Sequence, residues 1–85
     1  MAAEKNDQTL KLLTDSFKNP YAGKNIERIR MGLSLISRPT ASQRNHILVC
    51  LEQARAKGEV NDPRKAEFDK MIDYAIESWW PEEKE

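Results

Sequence analysis

The 85-residue chain is 39% hydrophobic and 33% charged, which is one domain's worth of sequence and too rich in Leu, Ile, Phe and Trp to stay disordered. Its formal charge is zero and its isoelectric point near 6.6, below that of a dedicated nucleic-acid binder. A single cysteine, Cys50, excludes an internal disulfide, and the longest apolar run, residues 47–51, falls far short of the roughly 20 residues that span a bilayer. These features lead us to expect one soluble domain over residues 1–85 in a reducing, cytoplasmic setting, with no membrane contact.

Residues 1–6 and 81–85 read as flexible ends. Between them the apolar residues recur with helical period. Asp7 can cap a first helix, expected over 7–18, whose stripe is Leu10, Leu13 and Phe17. The turn formers in 19–25, Asn-Pro-Tyr-Ala-Gly-Lys-Asn, then predict a loop that leaves Tyr21 exposed. A second helix is expected over 25–37 with Ile26, Ile29, Leu33 and Ile36 on one face, ending before Pro39. Gly32 inside it costs about 1 kcal/mol against Ala, a sign of close helix packing if the assignment holds.

Thr40 and Gln43 have the spacing of a capping box, so a third helix is expected over 41–57, with Ile47, Leu48, Leu51 and Ala54 inward and Gly58 as a left-handed closing residue. Asp62-Pro63 predicts the start of a fourth, over 63–80, in which Phe68, Met71, Ile72, Ala75, Ile76 and Trp79 form a broad apolar face. No stretch alternates with period two. The fold class is therefore all-α, a small compact bundle of four short helices.

Charge is segregated along this string. Residues 24–58 hold seven basic against two acidic side chains, net +5, whereas residues 59–85 hold four against nine, net −5. A dipolar molecule presents surfaces that differ in the partners they attract. The candidate partner-binding residues are Arg28, Arg30, Arg38 and Arg44 from the basic stretch, with Tyr21, Tyr74 and Trp80 as aromatic anchors. Of the adjacent Trp79 and Trp80, about 100° apart on a helix, one is expected in the core and the other leaning out.

No constellation points to catalysis. His46 and Cys50 stand four apart on one helix face, but no third group is indicated to orient the imidazole, and the thiol borders an apolar stripe. Asp69 and Asp73 read as a solvated helix face. One His and one Cys are too few for a closed zinc site, and three scattered glycines build no phosphate loop, so no metal and no cofactor is expected.

The function expected from these residues is that of a non-enzymatic helical interaction protein. It would be a small regulator or inhibitor, of a size that suits a phage or mobile-element product, binding a larger protein through its polarised surface and exposed aromatics. Self-pairing as a homodimer, basic region against acidic helix, belongs to the same class. The alternative is a helix-turn-helix DNA-binding regulator using 25–57, with Ser42, Gln43, Arg44 and Asn45 at the leading end of the recognition helix.

Overall fold

In the computed structural model, which describes residues 2–80, the chain is all helical, with no strand among those residues: α1 Ala2–Lys18, α2 Asn25–Leu35, α3 Ala41–Ala56 and α4 Lys65–Trp79. The architecture is a small four-helix bundle. α1 packs on both α2 and α3, and α3 packs on α4. No helix among the described residues is long and apolar enough to cross a membrane.

The departures from the expected boundaries each have a local cause. α1 begins at Ala2 rather than Asp7, because the segment expected to be a flexible lead is held by a buried polar network. Asn6, 1% exposed, donates from Nδ2 to Ser37 O at 2.9 Å and Gln43 Oε1 at 3.2 Å, and its Oδ1 accepts from Ser37 N at 3.2 Å. Asp7 caps nothing; its Oδ1 accepts from Gln43 Nε2 at 2.8 Å. The expectation for residues 81–85 lies outside the described residues.

α2 stops at Leu35 because Ile36 is already extended, and Arg38 before Pro39 takes a positive φ of 48°. The capping box of α3 forms as the spacing predicts: Thr40 Oγ1 accepts from Gln43 N at 3.1 Å and Gln43 Oε1 from Thr40 N at 2.9 Å. Gly58 does not close α3 in the left-handed region. A Cβ there would lie 2.5 Å from Tyr21 Cζ, so the glycine makes room for a ring. α4 starts at Lys65, after a tight turn in which Asp62 Oδ1 accepts from Arg64 N at 2.9 Å and the amides of residues 65, 66 and 67 bond three residues back.

The core joins Leu13 of α1, Ile29 and Leu33 of α2 with Ile36 just beyond its end, Ile47, Leu51 and Ala54 of α3, and Phe68, Met71, Ala75 and Trp79 of α4. Most of the predicted stripes face inward, with Leu10, Phe17, Ile26, Leu48 and Ile72 half-buried at the margin. Ile76 is exposed instead.

Gly32 is the point of closest approach between α1 and α2. A Cβ at this position would stand 2.5, 2.9 and 3.0 Å from three side-chain carbons of Leu13. The leucine sits directly on bare backbone, which explains a glycine in mid-helix.

This contact predicts a sign reversal. Gly32→Ala should lower the thermal midpoint, because an overpacking penalty of about 1–3 kcal/mol exceeds the roughly 1 kcal/mol gained in helix propensity. In a Leu13→Ala background, itself destabilised by about 2–5 kcal/mol, the same substitution should raise the midpoint. Thermal unfolding of the four proteins by circular dichroism measures both effects; Gly32→Ala stabilising both backgrounds would contradict the packing account.

Candidate interaction surface

Most of the basic residues in the middle of the sequence are engaged within the fold. Arg30 of α2 pairs with Glu67 of α4, to which Lys70 also lies at 3.9 Å, and Arg55 Nε of α3 lies 2.7 Å from Asp69 Oδ1. Arg44 donates from Nη1 to Trp79 O at 2.7 Å, and its guanidinium lies 4.6 Å from the centre of the Trp80 ring. Lys57 donates to Lys18 O at 3.1 Å, at the end of α1. Exposed ion pairs contribute about 0–1 kcal/mol, so the Arg30 and Arg55 pairs add little to stability. Their consequence is electrostatic: the basic middle and the acidic helix meet across the α2/α4 and α3/α4 seams, and the expected separation into poles is partly neutralised. Lys24, Arg28 and Arg38 remain exposed and make no ion pair among the described residues.

The aromatic anchors are placed differently from expectation. Tyr21 is half-buried, its ring 5.5 Å from that of Phe68, with its hydroxyl donating to Arg55 O at 3.1 Å and the Arg64 guanidinium 4.9 Å from its centroid. It is a packing residue. Trp79 is in the core and Trp80 half-buried beneath Arg44, so the pair divides as expected without offering a free indole. Tyr74 is exposed, with its ring edge-on to Trp79 at 6.3 Å.

The leading end of α3 offers little to a DNA groove. Gln43 is buried in the cap network and Arg44 is held against α4, which leaves Ser42 and Asn45 exposed. On the opposite edge of α3, Cys50 Sγ lies 3.6 Å from His46 Nε2 in a shallow groove against α1. Burial pushes the thiol pKa up, with Lys57 opposing, so the sulfur is protonated at neutral pH. No group of three or more His, Cys, Asp or Glu side chains suited to a metal ion gathers among the described residues.

A cluster of exposed apolar side chains lies elsewhere. Leu12 is 82% exposed, Met31 68% and Leu35 70%, and all three line one groove of about 580 Å³ between α1 and α2. Leu13 and Gly32 line it too, and the close approach between them sets its depth; Asp15 and Arg28 lie towards the loop end. Sequence reasoning passed over Leu12, Met31 and Leu35 because it stopped at one stripe per helix. The available signal was surplus: α2 carries Met31 and Leu35 in addition to the four residues of its core stripe. The other large exposed aliphatics, Val49, Val60 and Ile76, lie outside this groove.

No family model matches this chain, and no curated protein or solved structure matches it either. The surface is therefore read from its own chemistry.

Tyr21 supplies a test of its structural role. Burial, reinforced by the Asp62 carboxylate, raises its pKa from the ordinary 10.0. Because the folded value lies above the unfolded one, the stability it contributes is complete below about pH 10 and is lost as pH rises through the folded value. Tyr21→Phe should be less stable than the parent by about 0.5–1.5 kcal/mol at neutral pH, from the lost hydrogen bond. That gap should shrink above about pH 10, where only the parent loses stability by ionisation in the unfolded state. Urea unfolding at the two pH values reads the difference; a gap that widens in alkali would contradict the assignment.

Proposed function

We propose that this chain is a non-enzymatic helical interaction protein, a small regulator or inhibitor that binds a larger protein, with the α1/α2 groove as its contact surface. One observation carries the reading: three large apolar side chains, Leu12, Met31 and Leu35, stand mostly in solvent around a single groove. Burying them in a partner recovers hydrophobic free energy that folding leaves unused, on the order of 1.5–3 kcal/mol for each side chain fully buried.

The shape of the surface narrows the kind of partner. Two antiparallel helices with a trough between them accept an amphipathic helix, whose apolar residues at spacings of three and four lie along the trough. Arg28 and Asp15 at one end would fix its register through charge. Tyr74 and the other arginines of the sequence reading are secondary candidates. Tyr21 and Arg44 serve the fold first, since each joins two elements of the bundle.

Affinity capture from native lysate, with nuclease treatment and quantitative mass spectrometry, tests the proposal. Leu12→Glu and Leu35→Glu should each reduce recovery of the partner about tenfold or more while circular dichroism stays helical, as expected for anchors at an interface centre. Val60→Glu, at a residue 86% exposed and away from the groove, serves as the control and should leave recovery unchanged. Equal recovery by the groove variants and the parent would overturn the assignment of the surface, and recovery abolished by nuclease would favour the nucleic-acid reading.

A further inference from the structure

We infer that the α1/α2 groove is self-complementary and is occupied, when no larger partner is bound, by the same groove of a second copy of this chain. The inference rests on the groove being an interaction surface and adds what fills it. Its basis is the register of the two walls.

α1 and α2 are joined by the short loop 19–24 and lie side by side, so they run antiparallel, and the Leu13 contact with Gly32 sets their alignment. With Leu13 level with Gly32, a rise of 1.5 Å per residue puts Leu12 at the height of the gap between Met31 and Leu35. Asp15 lies on the α1 wall within about two residues of the level of Arg28 on the α2 wall. Neither charged side chain has an ion pair among the described residues; Arg28 makes only a 3.4 Å bond to Asn25 Oδ1.

A two-fold axis running along the trough keeps every residue at its height and exchanges the two walls. α1 of one copy then lies over α2 of the other. Leu12 of each copy enters between Met31 and Leu35 of its mate, a knob in a hole, and Asp15 of each comes opposite Arg28 of its mate. The result is an intermolecular four-helix layer with three apolar side chains per copy at its centre and two ion pairs at one end. A helix from an unrelated protein would need an acid for Arg28 and a base for Asp15 at the same height, whereas a second copy supplies both. The apolar contact is small against the roughly 800 Å² per partner of a standard stable interface, so the dimer should dissociate readily on dilution. A larger partner can then displace it.

The experiment is sedimentation equilibrium of the full 85-residue chain over a concentration series, with charge-swapped variants. The parent should move from monomer to dimer as concentration rises. Asp15→Arg and Arg28→Asp should each weaken association about tenfold or more, by setting like charges face to face, and the double variant Asp15→Arg with Arg28→Asp should recover most of the loss. Leu12→Glu should leave only monomer. A parent that is monomeric throughout, single variants that dimerise like the parent, or a double variant that recovers nothing would each overturn the inference. Failure of the wider reading is distinguishable: a monomeric parent that still captures a larger protein through Leu12 defeats self-pairing alone, and a dimer that captures nothing defeats the larger partner alone.

Discussion

Leu13 resting on the bare backbone of Gly32 is the contact on which the remaining surface depends. With no Cβ in the way, α1 and α2 approach closely enough for one leucine to seal their seam, and that leaves neighbouring Leu12 turned away from the core. The same approach leaves Met31 and Leu35 on the outer side of α2, because Ile29, Leu33 and Ile36 already fill the inner one. A domain this size has little interior to fill. Apolar residues beyond that capacity stay outside, and close packing of the two helices gathers three of them around a single trough.

The charges follow a different logic from the one their order along the chain implies. The carbonyls at a helix C-terminus lack intrahelical donors, and the helix dipole favours cations there. Arg44 donates to Trp79 O at the end of α4, Lys57 to Lys18 O at the end of α1, and Arg64 to Tyr21 O at 2.9 Å in the loop that follows α1. Arg30 and Arg55 reach carboxylates of α4. A basic middle and an acidic end therefore serve to join elements of the bundle, and the segregation needs no external partner to account for it. The groove between α1 and α2 is lined largely by apolar side chains, with Arg28 and Asp15 among its charged residues.

A second set of polar contacts anchors the opposite end of the molecule. Asn6, Ser37, Thr40, Gln43 and Asp7 form one network that ties the beginning of α1 to the turn between α2 and α3. Gln43 closes the capping box of α3 and meets α1 in the same position. Its two buried members, Asn6 and Gln43, are tolerated because they are bonded, and an unpaired buried group would cost about 1–3 kcal/mol. With the Leu13 contact midway along α1 and Lys57 at its end, this network holds α1 along its whole length and makes it a rigid wall of the groove.

Sequence alone determined what depends on neighbours along the chain. The four helices follow from apolar spacing of three and four, the start of α3 from Thr40 and Gln43, and the breaks from Pro20 and Pro39, whereas the structure makes Asp62-Pro63 a turn ahead of α4 and supplies the Leu13 contact that accounts for Gly32. Tertiary structure decided everything that depends on which side chain fills a given space. It placed Tyr21 in the packing and gave Gly58 the task of making room for it; it drew Asn6 inside, tied Arg30, Arg44 and Arg55 to α4 and put Leu12, Met31 and Leu35 in solvent. Periodicity marks the face a helix prefers to bury, while the area available to bury it is set by the other three helices. A residue's exposure is thus a property of the assembled bundle, and so is the apolar groove between α1 and α2.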